Sequence, residues 1–194
     1  LNAVDASMLS RLDAVIAEAT TAFEEFDYAR ALERTESFFW WFCDDYVELV
    51  KSRAYHTEHE HQSSALLALH TAVTTLQRLF APLIPFATEE AWRWDNETSI
   101  HISSWPTTTN VNGDSELLSP ILDALAQVRR AKTEAKVSQR AVVESVTVSM
   151  PSGQRAALDA GIDDLCRAGS IETITVNDTD GDAVTCDVTL APQE

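Results

Sequence analysis

From Asp5 to Phe26 the apolar residues Met8, Leu9, Leu12, Val15, Ile16, Ala19, Phe23 and Phe26 recur at spacings of three and four, the pattern of an amphipathic helix with one face to bury. The pattern resumes from about Tyr28 to Arg53, where Ala31, Leu32, Phe38, Phe39, Phe42, Cys43, Tyr46, Val47 and Val50 form a wide stripe uninterrupted by Gly or Pro. After the polar stretch HTEHEHQSS, Ser63 or Ser64 is placed to cap a third helix carrying Ala65, Leu66, Leu69, Val73, Leu76, Leu79 and Phe80, which Pro82 and Pro85 stop. PFATEEAWRW reads as a short fourth helix, with Thr88 as its N-cap and Glu89 and Glu90 in a first turn where the helix dipole favours negative charge. Such faces are buried by packing helix on helix, so residues 1–106 are expected to form a helical bundle.

Residues 107–116, TTTNVNGDSE, are polar and rich in turn formers, and they read as a linker. Residues 117–194 change character. A helix from about Glu116 to Val137 carries Leu117, Leu118, Ile121, Leu122, Leu125 and Val128, and VVESVTVSM then alternates with β-branched residues as a half-buried strand does. GQRAALDAGIDDLCRAG returns to helical spacing, and SIETITVN and AVTCDVTLA give two more strands, joined by a DTDGD turn that predicts a hairpin. The expected class is mainly α, a helical bundle followed by a small α+β domain of order α-β-α-β-β.

With 194 residues, 45% hydrophobic and 23% charged, the chain has enough apolar surface for one core or two small ones. It holds no apolar run of the roughly 20 residues a membrane span needs, and its first residues have neither the basic start nor the apolar block of a signal peptide, so a cytoplasmic protein is expected. It begins with Leu1 inside a helical pattern, as a piece of a longer polypeptide would. Cys43, Cys166 and Cys186 are distant and odd in number, which points to neither a disulfide framework nor a metal knuckle. The net charge of -17 argues against nonspecific nucleic-acid binding, whose affinity comes mainly from Lys and Arg neutralising phosphates. A specific RNA site needs only a local patch and can use stacking and base edges.

The second helix is odd for a packing element. Aromatic residues from Phe38 to Phe42 project around more than half of its circumference and cannot all enter one core stripe. The stretch F-x-W-x-F-C-D-x-Y-x-E-x-x-K, Phe38 to Lys51, is followed by L-x-x-L-F-A-P-x-x-P-F-x-T-E-E-x-W, Leu76 to Trp92. Together they resemble the anticodon-binding helical domain of class I valyl-tRNA synthetases, and SIHISSWP, Ser99 to Pro106, resembles the segment with which such domains finish. The second motif is shared by isoleucyl and leucyl enzymes, whereas Phe42 to Lys51 favours the valyl member. Asp45 departs from the family, in which an aromatic residue is frequent there.

The resemblance implies a chain that catalyses nothing itself. It would bind the anticodon stem-loop of a valine-accepting tRNA and position that tRNA for aminoacylation in the catalytic domain of the same polypeptide. ATP and magnesium would belong to that domain, with no cofactor in this fragment, no DNA partner and no membrane. No His-Ile-Gly-His or Lys-Met-Ser-Lys-Ser signature is present, and 5 glycines leave little for a phosphate loop. Trp40, Phe42, Tyr46, Lys51 and Arg53 are the aromatic and cationic candidates for splaying and stacking bases, core packing being the other place for such rings in a bundle. Arg30 and Arg34 are placed to reach phosphates or to stay solvated.

The most basic stretch, RRAKTEAKVSQR, sets Arg129, Arg130, Lys132, Lys136 and Arg140 against the single Glu134 and is a second tRNA-binding candidate. His56, His59 and His61 are close in sequence, but their spacings do not aim at one metal, and DTDGD lacks the terminal Glu of a calcium loop. Two other readings stay open: the anticodon domain of an isoleucyl or leucyl enzyme, and a helical protein-interaction module whose aromatic helix is the partner face.

Overall fold

The computed structural model describes residues 1–192 and is mainly helical, with one small sheet near its C-terminus. Its contacts divide the chain into two compact units, Leu1–Val47 with Ser63–Asp114, and Glu48–Gln62 with the chain from Ser115 onward. Among the described residues no helix is long and apolar enough to cross a membrane.

In the first unit α1 spans Ala3–Glu24, capped by the Asn2 side chain, which accepts from the Val4 amide at 2.8 Å. It buries Val4, Met8, Leu9, Leu12, Ile16, Ala19 and Ala22. The helix stops short of Phe26, which takes a left-handed conformation (φ 61) and stands exposed, edge-on to Tyr28, instead of joining the core. Asp27 then caps α2 (Tyr28–Trp41) by accepting from the Arg30 amide.

A π-helical turn, Phe42–Val47, follows α2. It sets Phe38, Phe42 and Tyr46 in a stack, with ring centroids 6.3 and 5.8 Å apart and planes within 14° and 22°. Tyr46 is wholly buried, and its hydroxyl donates to Asp5 Oδ1 at 2.6 Å. Asp5 Oδ2 also accepts from Ser64, whose oxygen in turn receives the Asn2 amide at 2.7 Å. These bonds tie the start of α1, the π turn and the start of α4 (Gln62–Phe80) through polar groups that are satisfied where water is excluded. Ser64 therefore serves this network and does not cap α4, which begins at Gln62.

The buried side of α4 is small, Ala65, Ala68, Ala72, Leu76 and Leu79, while the expected core residues Leu66 and Val73 are exposed. The next helix, α5, spans Pro85–Trp92, starting three residues ahead of the expected Thr88 cap. Pro85 pre-sets the first helical φ, and Thr88 bonds back to the Ile84 carbonyl from inside the helix. A 3-10 turn, Ile100–Ile102, sits against α5, held by Glu89, which accepts from Ser99 Oγ at 2.8 Å and the Ile100 amide at 2.9 Å. The Trp105 indole donates to Thr20, and its ring lies edge-on to Phe23.

The stretch after Pro106 runs along α1. Asp13 accepts from the Thr109 amide at 2.6 Å, the Thr109 hydroxyl at 2.9 Å and the Asn110 amide at 2.9 Å. Gly113 passes so close to α1 that a β-carbon there would overlap the Ala6 carbonyl.

In the second unit α3 (Glu48–Tyr55), α6 (Leu118–Glu134) and α7 (Arg155–Gly169) accompany β1 (Val143–Pro151), β2 (Ile171–Thr179) and β3 (Thr185–Leu190). Val143, Val146, Val148 and Met150 of β1 are buried with Leu118, Ile121, Leu125 and Val128 of α6 and Leu158 and Leu165 of α7. An irregularity between Val143 and Ser145 lets both Val143 and Val146 face the core despite their odd spacing.

The strand order is β2-β1-β3, with β1 parallel to β2 and antiparallel to β3. Parallel neighbours need a long crossover, which α7 supplies. The DTDGD segment is thus not the expected hairpin: β2 and β3 occupy opposite edges, and the connection passes the end of β1. Spanning two strand spacings takes roughly 10 Å, within reach of the residues between Thr179 and Thr185.

Candidate nucleic-acid interface

Aromatic and cationic side chains presented to solvent are the physical requirement for gripping a single-stranded loop, and burial sorts the candidates. In the first unit Trp40 is 55% exposed, with its indole N–H on Glu36 at 3.3 Å. Its neighbour Phe39 lies edge-on to Phe80, the last residue of α4, at 5.7 Å. This places Trp40 toward the end of the bundle from which the chain enters α5. Trp41 is half-buried beneath the Arg11 guanidinium, 4.1 Å from the ring centroid.

Phe42 and Tyr46, both expected to stack on bases, are closed off by the neighbours that form their ring stack and by Asp5, so neither can offer a face to a base. Their spacing of four keeps Phe38, Phe42 and Tyr46 on one helix face, and that face is the buried one. Arg30 and Arg34 are exposed and paired with Glu25 and Glu18.

Two rings missed by the sequence reading are more open than any of these. Phe86 on α5 is 90% exposed, and Trp94, just past its end, is 77% exposed. Arg93 lies between α5 and Trp94, its guanidinium on Glu89 at 2.7 Å, while His101 of the 3-10 turn contacts the Pro85 carbonyl. The bonds that Glu89 receives from Arg93 and Ser99 hold its carboxyl below the usual range. Beside them a cavity of about 150 Å³ is lined by residues that include Arg78, Pro82, His101 and Trp105. The sequence signal was the density of aromatic residues from Phe86 to Trp94, but eight-residue helices leave too little periodicity to tell an outward ring from an inward one.

In the second unit Arg53, expected on the RNA face, is 1% exposed. Its Nε donates to both oxygens of Asp164, at 3.0 and 3.2 Å, and its Nη1 to the His61 carbonyl at 3.1 Å. It is a structural cation joining α3 to α7. Lys132 is likewise 1% exposed, its ammonium donating to the Gln139 carbonyl at 2.9 Å and the Gly169 carbonyl at 2.8 Å. Burial, and then the nearby Arg129, push its pKa down.

Lys51 and Arg129 meet at Glu48 Oε2, 2.6 and 3.8 Å away. Arg130 turns outward to Glu134 at 2.7 Å, and Lys136 is exposed just beyond α6 in a left-handed conformation (φ 57). The structure thus brings Lys51, Arg129 and Lys132 together around one cavity of about 350 Å³, joined there by Arg140 and Arg167, and leaves Arg130 and Lys136 outside it. Arg140 belongs to the basic stretch. Arg167 carried no signal, because Asp163 and Asp164 beside it make its segment read as acidic.

The sequence profile of the anticodon-binding domain of tRNA ligase matches residues 5–148. The chain belongs to this anticodon-binding domain family. It is 46% identical over 98% of its length to the valine–tRNA ligase of Thermobifida fusca (strain YX), and 46% identical over 98% to that of Leifsonia xyli subsp. xyli (strain CTCB07). The valine–tRNA ligase of Tropheryma whipplei (strain Twist) is 44% identical over 94% of the chain. The chain spans only 20 to 23% of the length of these curated relatives.

Proposed function

We propose that this chain is the tRNA-recognition part of a valine–tRNA ligase. It would hold the anticodon stem-loop of the valine tRNA while aminoacylation, with ATP and magnesium, takes place in the catalytic region of a longer polypeptide. The observation that carries the reading is the 46% identity to valine–tRNA ligases along 98% of the chain, and a solvent-facing set of rings on the anticodon-binding bundle supports it. Trp40, Phe86 and Trp94 supply stacking surfaces for unpaired bases, and Arg93 and His101 supply donors for base edges or phosphates.

Among the cations of the second helix and the basic stretch, Lys51, Arg129, Arg130 and Lys136 face solvent at least in part and suit phosphate contact. Phe42, Tyr46 and Arg53 act on RNA only indirectly, by fixing the helices that carry the others. The exposed Leu66 and Val73 of α4 offer apolar surface for the remainder of the polypeptide.

The test is a low-salt titration of the chain with a valine tRNA, an isoleucine tRNA and a valine tRNA carrying a changed anticodon. The expected result is tightest binding to the first and loss of that preference with the changed anticodon. Equal binding to all three overturns anticodon recognition.

A further inference from the structure

The net charge is -17, with only 14 Lys and Arg in the chain, yet five of those cations line one cavity of the second unit. Lys51 comes from α3, Arg129 and Lys132 from α6, Arg140 from the loop before β1, and Arg167 from the last turn of α7, the wall being completed by Gln139 and by backbone from Ala168 to Ser170. Glu48 is shared by Lys51 and Arg129, and Asp163 pairs with Arg167 at 2.9 Å.

Lys132 has three N–H donors, two of them given to carbonyls, and the third finds no acceptor among the described residues. Arg140 likewise has no carboxylate partner among the described residues. Two helices, a helix end and a loop rarely bring so many like charges together in an acidic chain without a counter-anion, because each cation raises the electrostatic cost of the next. The geometry points to this cavity as a binding site for a backbone phosphate of the RNA, read for charge and not for sequence. This inference rests on the chain being an RNA binder. It adds that the phosphate contact is a defined cavity on α3, α6 and α7, separate from the rings of the first unit and from Arg130 and Lys136.

The experiment compares the wild-type chain with Arg140→Gln, with the double variant Arg140→Gln/Arg167→Gln and, as a control outside the cavity, with Arg155→Gln. Each is titrated with valine tRNA and with the changed-anticodon tRNA from low to moderate salt. Arg140→Gln is expected to weaken binding by the same factor for both tRNAs and to reduce the slope of log affinity against log salt by about 1. The double variant lowers the slope further, and Arg155→Gln leaves it unchanged.

Thermal midpoints in sodium phosphate and in sodium chloride of equal ionic strength give a second readout, the wild type being raised by phosphate more than the double variant. An unchanged slope in the double variant overturns the proposal whatever the anticodon result. If phosphate still discriminates wild type from variant in that case, the cavity serves a free phosphate and not RNA. A uniform loss together with no anticodon preference keeps the cavity site and rejects anticodon recognition. Failure of the wild type to bind any RNA overturns the proposal as well.

Discussion

Tyr46 and Asp5, 41 positions apart, meet in a 2.6 Å hydrogen bond with both residues fully buried. Removing the phenol oxygen leaves a buried carboxylate oxygen without this donor. A Tyr46→Phe variant is expected to lose about 1–3 kcal/mol of unfolding free energy, measured by urea denaturation. Its discrimination between valine tRNAs with native and changed anticodons is expected to stay as in the wild type, since the ring is buried.

Arg53 and Asp164 form a buried ion pair with a further bond to the His61 carbonyl. Replacing either partner alone strands the other charge, so Arg53→Met or Asp164→Leu is expected to destabilise the chain by about 3–5 kcal/mol. Replacing both together should cost less than the sum of the single changes. A double-mutant cycle in denaturant checks the difference, and additive losses would contradict the pairing.

Trp40, Phe86 and Trp94 can be truncated with little harm to the fold because their rings face solvent. Each alanine variant is expected to change stability by no more than about 0.5 kcal/mol. The affinity for valine tRNA should fall by about 1–3 kcal/mol for each ring that stacks a base. Fluorescence titration reads both the affinity and, through indole quenching, the stacking itself.

Glu89 is held ionised by donors from Arg93, Ser99 and the Ile100 amide. Its folded pKa lies below the unfolded value, so the stability it contributes is fully present above the ordinary carboxylate range and is lost as pH falls through the folded pKa. The wild type and Glu89→Gln should therefore differ in thermal midpoint at pH 7, and the difference should shrink as pH falls below the ordinary carboxylate range.

Cys186 is pushed up to about 11 by burial, and Cys43 and Cys166 are raised as well, each by burial first and by a neighbouring aspartate second. A thiol at about 11 holds roughly a hundredfold less thiolate at pH 8 than one at about 9. Iodoacetamide labelling of native protein at pH 8 is expected to be slow at Cys186 and to become fast only on unfolding, as mass spectrometry would show.

The helices and the α-β-α-β-β order were legible because hydrophobic period is a local property of the sequence. What was not legible depended on partners distant in the chain. Ser64 has cap chemistry at a helix start, but its hydroxyl is claimed by Asp5, 59 positions away. Thr88 yields the start of α5 to Pro85, whose ring already fixes the backbone there. The DTDGD turn has hairpin chemistry, yet β1 is the better neighbour for both flanking strands, since its Val146, Val148 and Met150 complete the core.

The same distinction governs the candidate site. Of the aromatic helix read as RNA-facing, Trp40 stands at the surface, whereas Phe42 and Tyr46 lie on the buried face with Phe38. The basic stretch was visible as charge, whereas its division into Arg129, Lys132 and Arg140 at the cavity and Arg130 and Lys136 elsewhere required the helix's actual phase.

The Arg53 to Asp164 pair closes a loop of 111 residues around a stretch, Ser63–Asp114, that belongs to the other unit. On a ribosome, α3 would emerge long before the segment that satisfies its guanidinium. The first unit, whose last residue is Asp114, has its full sequence while α7 is still to be made. Early structure in the first unit would shorten the effective loop and lower its closure entropy, which for a flexible chain grows with the logarithm of length. The interleaving of the chain thus makes the second unit the later of the two to have its full sequence.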